Sequence, residues 1–501
     1  MAHVWRMSAA YQSGLQLSAQ GRHAEAIAQF EQALAAKPDD TGVLFALGNT
    51  AHQLGMGDAA EQFYRRVLAL EPARLEALVN LANLLRTAGQ FDAAIALLQP
   101  ALARSPQSPE LNLTLGSAFR EKGENEQAIA HYRAALAARP DYAPALANLA
   151  DMLCDAGDRA TARTLYDAAI KAEPKNPQAR LNRAILHLLN SDLKDGWRDY
   201  AARLEIPGKV PALSGEQRSA AWTGGSLKKT RLLVRAEQGV GDQILFASLI
   251  PDLAARAKAE GGSLVLECEP RLAPLFARSF PDVTVKPSAI KSIGGVPVAD
   301  YGWLKAAGGV NAVIMMGSLP RYLRSQLDAF PAPHVFLTPD AQEIAHWKAQ
   351  FGANAIGVCW RSGKSGGHRT IQYASLKAWG DFLRDAAAPL VCVQYDATPD
   401  EVAELESLSG RKLIVPQGID QKNELDLAAA LMAALDCVVT APTAVSWLSA
   451  GVGTRTFKIL YDTSWTALGQ RHEPFAPSCE CVSPASRGDW ADAFTQVKAK
   501  L

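Results

Sequence analysis

The chain has 501 residues, of which 51 are lysine or arginine and 51 are aspartate or glutamate, so its formal net charge is zero. A neutral chain has no overall field that attracts nucleic acid or an anionic membrane surface, and its length predicts two or three domains. Its first residues contain no basic segment followed by an apolar core, and no apolar run is long enough to cross a bilayer. We therefore expect a cytoplasmic protein that neither binds nucleic acid nor crosses a membrane.

The seven cysteines indicate reduced thiols rather than a disulfide framework. Cys268, Cys359, Cys392 and Cys437 stand in apolar, strand-like runs, where a thiol behaves as a small hydrophobic group. The close-spaced pair in Cys479-Glu-Cys481 has no second pair or histidine cluster beside it, so it falls short of a zinc signature. The sequence predicts buried thiols and no metal site.

Five repeats fill the first part of the chain. Prolines recur every 34 residues, at Pro38, Pro72, Pro106, Pro140 and Pro174. Glycines recur with the same period, at Gly21, Gly55, Gly89, Gly123 and Gly157. A small residue recurs at Ala26, Ala60, Ala94, Ala128 and Ala162, and a larger apolar residue follows it by four positions, at Phe30, Tyr64, Leu98, Tyr132 and Tyr166. This period and these residue classes are those of the tetratricopeptide repeat, a pair of antiparallel helices in each unit.

After Pro174 the repeat markers disappear, although helical spacing of apolar residues continues. This segment is predicted to be a degenerate capping unit, so that the helical array covers residues 7–205. Residues 206–230 have the proline and glycine content of a linker, in which Trp222 is expected to dock on the next domain. Such an array forms a concave surface suited to an extended peptide, and self-association is the alternative use.

From residue 231 onward, strand-like and helix-like runs alternate. The strand-like runs are residues 231–237, 263–268, 355–360, 390–395, 412–415, 436–440 and 456–461. The main helical runs are residues 242–259, 375–384, 399–405, 425–434 and 443–450. This alternation predicts parallel sheets with helices on both faces. A break near Pro331 divides the region into residues 231–335 and 350–501, which we expect to face each other across a cleft.

The turn after the first of these strands is where we expect the chemistry. Gln238, Gly239 and Gly241 follow an apolar strand and precede a helix that carries Asp242 near its start. Such a turn places backbone N–H groups and a helix N-terminus at the carboxyl end of a strand, where open α/β sheets hold anionic ligands. The turn therefore predicts a site for an anionic ligand.

Three runs resemble a known family: residues 238–252, with the motif Gln-Gly-Val-Gly-Asp-Gln, residues 357–363 and residues 435–453. They are similar to the bacterial glycosyltransferases linked to tetratricopeptide repeats, which are related to the heptosyltransferases and to O-linked N-acetylglucosamine transferase. The resemblance implies a GT-B fold, two Rossmann-like domains with a UDP- or CMP-linked sugar held mainly by the second. It also implies metal-independent transfer, without a cofactor, to a serine or threonine of a protein acceptor. Residues 440–447 and 461–465 look most like the flagellin glycosyltransferases, which makes flagellin the candidate acceptor.

Asp242 matches the aspartate that heptosyltransferases use as general base. An acceptor hydroxyl must lose its proton as it attacks the anomeric carbon, and a nearby carboxylate can accept that proton. Aspartate is also favoured at the start of a helix, so a capping role is the second interpretation. One side chain is able to serve both roles.

We expect donor contacts in two further segments of the resemblance and, from its position on the same sheet edge, at the end of another strand. Arg361, Ser362, Gly363 and Lys364 belong to a basic, glycine-rich loop, which suits the charge of a departing nucleotide diphosphate. The second segment, Thr443, Ala444 and Val445, opens a helix whose N–H groups would face phosphate. The strand end holds Gln394 and Tyr395, which are expected to meet the nucleobase, with core packing as an equal alternative. A mobile solvated loop is the alternative for the first segment.

Two positions depart from the family pattern. Pro442 and Trp447 stand where the family has an aspartate and a histidine, so any role of those two side chains is lost or replaced. This departure keeps open a non-catalytic adaptor with a degenerate transferase-like half. A dinucleotide-dependent oxidoreductase fits less well, because its fingerprint needs a third small residue where Ile244 stands.

Overall fold

The repeats fold as five pairs of antiparallel helices. In the described residues the pairs are α1 (Ala9–Ala19) with α2 (His23–Ala36), α3 (Thr41–Gln53) with α4 (Gly57–Leu70), α5 (Leu75–Thr87) with α6 (Phe91–Arg104), α7 (Pro109–Lys122) with α8 (Asn125–Ala138), and α9 (Ala143–Asp155) with α10 (Arg159–Ala172). The computed structural model describes residues 8–208, 211–214, 219–293, 296–306, 308–331, 335–363 and 372–501. The predicted all-α array is confirmed for this part of the chain.

The repeated residues explain the pairing. The five repeated alanines are fully buried, and the aromatic or leucine side chains four positions later are at most 3% exposed. The five repeated glycines all have φ between 75° and 91°, the left-handed conformation that ends the first helix of each pair. A Cβ atom on Gly48 would lie 2.7 Å from the ring of Tyr64. Small residues on one helix therefore make room for the large residue of its partner, and each such burial contributes about 1.5–3 kcal/mol.

The chain divides into two units, Met1–Asn176 and Pro177–Leu501. The second unit begins with helices α11 (Pro177–Leu189) and α12 (Leu193–Tyr200), followed by a 3-10 turn over Ala201–Glu205. The sequence placed these residues in the helical array, whereas the structure groups them with the α/β region. The physical reason is that Trp197 and Tyr200, 2% and 4% exposed, are buried in the same core as the sheet residues.

The α/β region contains two larger parallel sheets. The strands of the described region are β1 (Ala212–Ser214), β2 (Ala220–Ala221), β3 (Arg231–Arg235), β4 (Ser263–Cys268), β5 (Thr284–Pro287), β6 (Ile290–Ile293), β7 (Val296–Asp300), β8 (Ala312–Met315), β9 (Ile356–Cys359), β10 (Leu390–Cys392), β11 (Leu413–Ile414), β12 (Cys437–Thr440), β13 (Arg455–Ile459) and β14 (Cys479–Val482). One sheet has the order β2-β8-β3-β4-β5 and the other β11-β10-β9-β12-β13-β14, all in parallel register. A small third sheet joins β1, β7 and β6, of which β6 and β7 are antiparallel.

Helices connect these strands. They are α13 (Val240–Ala247), α14 (Ile250–Glu260), α15 (Ala273–Ser279), α16 (Trp303–Ala306), α17 (Pro320–Leu323), α18 (Ala341–Phe351), α19 (Leu376–Leu383), α20 (Pro399–Ser409), α21 (Leu425–Ala433), α22 (Ala444–Gly451) and α23 (Trp490–Lys498). The predicted alternation and parallel register are confirmed. The helix expected over residues 242–259 is two helices, because Pro251 has no N–H with which to continue the bonding of α13.

The segment interpreted as a linker contributes to the first sheet. Its strand β2 pairs with β8, and the backbone N–H of Trp222 donates to the carbonyl of Val313 at 2.8 Å. Trp222 is 7% exposed, so its expected docking on the α/β region is confirmed. The four cysteines expected to be core thiols are free and buried. Proline and glycine content alone did not distinguish this short edge strand from a linker.

Candidate functional site

The turn between β3 and α13 presents backbone N–H groups at the carboxyl end of the sheet. Gln238 has a φ of 63°, a left-handed conformation that is uncommon for a residue with a side chain. Gly239 is the residue before the helix, and α13 begins at Val240. The first N–H groups of a helix have no acceptor within it. The predicted glycine turn therefore forms a helix N-terminus of the kind that binds anions.

Asp242 lies in the first turn of α13, and its Oδ2 atom accepts a hydrogen bond from the Gly239 N–H at 3.2 Å. Burial raises the pKa of the Asp242 carboxyl above its ordinary value, the Gly239 hydrogen bond opposes this change, and the charge of Glu237 adds to it. The capping role weighed in the sequence is present. A carboxylate with a raised pKa is a stronger base in its ionised form.

A second helix N-terminus lies beside the first. Helix α22 starts after Thr443, whose Oγ1 accepts a hydrogen bond from the Val445 N–H at 3.2 Å. A Cβ atom on Gly241 would lie 3.5 Å from the Cα of Ala444 and 3.4 Å from the Trp447 ring, so the two helix starts are in close contact. Both N-termini thus bring partial positive charge to one place.

A cleft of about 510 Å³ opens at these two helix starts. Its walls include most of the residues named from the sequence: Gln238, Gly239, Gly241, Ser362, Gly363, Tyr395, Thr443, Ala444 and Val445. Further walls are apolar, formed by Val240, Ile244, Val393, Leu425, Ala428, Met432 and Leu448. A volume of this size is typical of small-molecule sites. Asp242 adjoins this wall without itself lining it.

Two named residues have other roles in the structure. The Arg361 guanidinium pairs with Glu401 at 2.5 Å and with Asp396 at 3.0 Å, and it does not line the cleft. Gln394, 2% exposed, accepts hydrogen bonds from the backbone N–H groups of Trp360 and Arg361, both at 3.0 Å. The bonds of Gln394 join the ends of β9 and β10, whereas Arg361 is bonded to Asp396, after β10, and to Glu401 of α20. Neither side chain lines the cleft. Lys364 lies outside the described residues.

Tyr395 and Gly363 form one edge of the cleft. The Gly363 N–H donates to the Tyr395 hydroxyl at 2.6 Å. A Cβ atom on Gly363 would clash with Asp396 Oδ2 and lie 3.0 Å from the Tyr395 ring, so only glycine fits without a shift. The described start of this loop and the end of β10 therefore lie together at the cleft.

Sequence reasoning missed the cations of the cleft, Arg271 and Lys422. Arg271 follows β4, and its guanidinium donates to Glu269 at 2.7 Å and to the Lys422 carbonyl at 2.7 Å. Glu269 is the one carboxylate among the described residues that line the cleft, so two cations outnumber it. The signal was the position of Arg271 just beyond the carboxyl end of the strand next to β3. The sequence contains no comparable signal for Lys422.

Of the two departures from the family pattern, Pro442 is half-buried and Trp447 is buried. Trp447 is 8% exposed, and the Lys458 ammonium lies 4.6 Å from the centre of its ring. Lys458 is paired with Glu473, and both side chains are almost fully buried. Although burial opposes its charged form, the Glu473 carboxylate raises the pKa of Lys458 above its ordinary value. Trp447 thus covers a buried ion pair, where the family has a histidine.

Comparisons with known proteins identify the repeats. Models of the tetratricopeptide repeat match residues 17–81, 79–143 and 119–186, so the chain contains these repeats. The chain is similar to Protein FlbA of Caulobacter vibrioides, with 32% identity over 327 residues, which are 64% of this chain and 54% of FlbA. The chain therefore spans about half the length of that curated relative.

Solved structures that match cover about a third of the chain. A thermophilic tetratricopeptide repeat protein of Thermus thermophilus is 27% identical and covers 36% of this chain and 97% of its own, with a TM-score of 0.32. PilW, described as a widely conserved type IV pilus biogenesis factor, is 20% identical and covers 39% of this chain and 90% of its own, with a TM-score of 0.34. Within the described residues, helices long and apolar enough to cross a bilayer are absent.

Proposed function

We propose that the chain is a GT-B glycosyltransferase that moves a sugar from a UDP- or CMP-linked donor to a serine or threonine hydroxyl of a protein. The observation that carries the proposal is the convergence of the N-termini of α13 and α22 with Arg271 and Lys422 on one cleft. Negative charge develops on the departing nucleotide phosphate, and cations and backbone N–H groups stabilise it. The apolar walls suit the faces of the nucleobase.

In this proposal Asp242 accepts the proton of the acceptor hydroxyl. Its raised pKa supports the assignment, and so does its place in the first turn of the helix that follows the glycine turn. Ser362, Gly363, Tyr395 and Thr443 contact the donor. No step requires a metal ion or a cofactor. Transfer forms a bond between the acceptor oxygen and the anomeric carbon and breaks the bond between that carbon and the donor's phosphate oxygen. UDP or CMP leaves with the electron pair of the broken bond, and Asp242 takes the acceptor proton.

The repeats supply the protein acceptor in this proposal, with flagellin as the first acceptor to test. Tetratricopeptide repeats indicate protein partners, and a groove remote from the reacting atoms raises the local concentration of acceptor. A small acceptor would need no such surface. The similarity to FlbA extends over 64% of this chain.

A thermal-shift screen of UDP- and CMP-linked sugars tests donor binding. A donor at a hundred times its Kd stabilises the folded state by about 2.7 kcal/mol and raises the melting temperature. Arg271→Gln and Lys422→Gln should reduce the shift, whereas Lys258→Gln, an exposed lysine away from the cleft, serves as the matched control. A shift with nicotinamide cofactors and none with sugar nucleotides would reject the proposal.

Removing residues 1–176 separates capture of the acceptor from chemistry. The shortened protein should keep its donor-induced thermal shift and lose modification of the protein acceptor. An undiminished rate of modification would assign the repeats to oligomerisation or localisation instead.

The buried Trp447 favours a second candidate, a non-catalytic adaptor. An adaptor would bind the protein partner through its repeats and leave every sugar nucleotide unhydrolysed and untransferred. Product analysis with the full chain distinguishes it from the enzyme.

A further inference from the structure

We propose that Tyr200 is a positioning residue for the turn that forms one wall of the cleft. The Gln238 side-chain amide donates to the Tyr200 hydroxyl at 3.1 Å, and the hydroxyl lies 3.4 Å from the amide oxygen. Gln238 lines the cleft and has left-handed backbone geometry. The inference rests on the proposed function for its catalytic consequence, although the contact itself is independent of it.

A second contact, from Arg203 just after α12, holds Glu237, the residue before Gln238. Arg203 pairs with Glu237 through two hydrogen bonds of 2.6 and 2.9 Å, and both side chains are at most 6% exposed. The Gly317 N–H also donates to Glu237, at 2.7 Å. Successive residues of the turn, Glu237 and Gln238, are therefore both anchored to residues 200–203, at the end of α12 and in the 3-10 turn after it.

Residues 191–200 pack on residues that follow β13 in the chain. Rings of Trp197 and Trp465 lie 6.4 Å apart, and those of Tyr200 and Trp465 lie 5.5 Å apart. Ser191 Oγ donates to the carbonyl of Leu468 at 2.7 Å. This packing fixes the Tyr200 ring without help from its hydroxyl, so the hydroxyl is free to orient the turn.

The left-handed backbone of a residue such as Gln238 costs about 1–3 kcal/mol and persists only where neighbours hold it. Without the Tyr200 hydroxyl, the turn can adopt other conformations. The first N–H groups of α13 and the Asp242 side chain are then no longer held in one orientation. Donor phosphate is still held by α22, Arg271 and Lys422. Because three of the four phosphate-binding elements remain in place, loss of the hydroxyl lowers kcat more than it lowers donor affinity.

The test is Tyr200→Phe in the full chain, with Tyr166→Phe in the repeats as the matched control. Hydrogen exchange of the peptide over residues 236–247 should rise about threefold to tenfold in Tyr200→Phe, the range expected for one hydrogen bond. Exchange over residues 177–199 should stay unchanged. Gln238→Met, which removes the other partner, should give the same local rise, and combining the two variants should add little.

Transfer kinetics give the second readout. We expect kcat to fall about tenfold and the donor Kd to change less than about twofold. Unchanged exchange over residues 236–247 in both variants would overturn the inference, and so would a rise spread evenly over the whole second unit. Because exchange needs no substrate, a local rise in a protein that binds no sugar nucleotide would support the positioning role of Tyr200 and reject the proposed function.

Discussion

The Asp242 carboxylate accepts a hydrogen bond from the backbone N–H of Gly239, with an oxygen to nitrogen distance of 3.2 Å. This contact closes the first turn of α13, whose N-terminus faces that of α22 across Gly241 and Ala444. The capping role and the proposed base therefore belong to one side chain. A variant that keeps the hydrogen bond and removes the negative charge can separate the two.

Asp242→Asn is that variant. An amide oxygen can still accept from Gly239, so we expect the circular dichroism spectrum and donor affinity to be preserved. Transfer should fall by about 10²–10⁴-fold, the usual contribution of a general base. Single-turnover transfer measured by mass spectrometry provides the rate. A loss smaller than about threefold in a folded variant would leave Asp242 with the capping role alone.

The pH dependence follows from the direction of the Asp242 pKa. A base must be ionised, so transfer should decline as pH falls through a pKa that lies above the ordinary value of about 3.9 for aspartate. Glu237, paired with Arg203, is the neighbouring charge that contributes to the increase. The profile of kcat/KM against pH should thus lose its acid limb with Asp242→Asn. Full activity of the wild-type protein down to about pH 4 would contradict this expectation.

The stability of the protein should also depend on the ionisation of Asp242, but in the opposite direction: ionisation should increase transfer and decrease stability. Because the folded-state pKa of Asp242 is raised, its contribution to stability is present below the unfolded pKa and is lost as pH rises through the folded pKa. Asp242→Asn lacks this loss. The melting temperature of the variant relative to the wild-type protein should therefore increase between acid and neutral pH, and a difference that is constant with pH would argue against a raised pKa.

The positions of the cations predict different effects for three charge-removing variants. Arg271→Gln and Lys422→Gln should each weaken nucleotide diphosphate binding by about tenfold, because both side chains line the cleft. The loss should be larger at low salt, where charges are screened less. Arg361→Gln should instead lower the melting temperature, since it leaves Glu401 and Asp396 without their partner. Of these two carboxylates, Glu401 should be affected more by the loss of Arg361, because the Arg361 guanidinium lowers the pKa of Glu401 to about 2. Calorimetric titration together with thermal melting distinguishes the two classes. A greater loss of binding for Arg361→Gln than for Arg271→Gln would reverse these assignments.

Fragment boundaries test the division of the chain. A fragment of residues 177–501 should fold cooperatively, whereas one of residues 206–501 should aggregate or melt at a much lower temperature. The shorter fragment lacks Arg203, so Glu237 loses its ion-pair partner. It also exposes the apolar surface that Trp197 covers. Equal melting temperatures would show that the helices α11 and α12 are dispensable for this unit.

The buried pair beneath Trp447 offers a stability test away from the proposed chemistry. Glu473→Gln leaves the Lys458 ammonium buried without a carboxylate, which should destabilise the second unit by about 3–5 kcal/mol. Lys458→Met combined with Glu473→Leu should recover most of this loss, because neither charge remains. Urea unfolding followed by tryptophan fluorescence measures both. A double variant less stable than Glu473→Gln would contradict the pairing as the cause.

The repeats could be predicted from the sequence because each repeated position meets the same neighbour in every unit. Ala60 and Tyr64 are as fully buried as Ala128 and Tyr132, and a glycine of the preceding helix, Gly48 or Gly116, lies against each tyrosine ring. A period of 34 residues therefore indicates their environment. The parallel register also followed from the alternation of strands and helices. These features depend on local pattern alone.

The cations of the cleft could not be predicted in the same way. Whether Arg361 faces a ligand or a carboxylate depends on Glu401, which is 40 positions away in the chain. Arg271 and Lys422 approach each other only through folding, by a bond across 151 positions. The role of the segment that follows α12 was missed for the same reason, since Arg203 reaches Glu237 across 34 positions.

The most direct test of the central claim is the mass of a protein acceptor after incubation with the full chain and each sugar nucleotide in turn. Purified flagellin is the first acceptor, and intact-mass spectrometry is the readout. With the correct donor, the wild-type protein should add the mass of one or more sugar residues, with release of an equal amount of nucleotide. Asp242→Asn should add none while it still binds the donor. Donor binding without any mass gain or nucleotide release, across the whole panel of UDP- and CMP-linked sugars, would contradict glycosyl transfer and favour the adaptor.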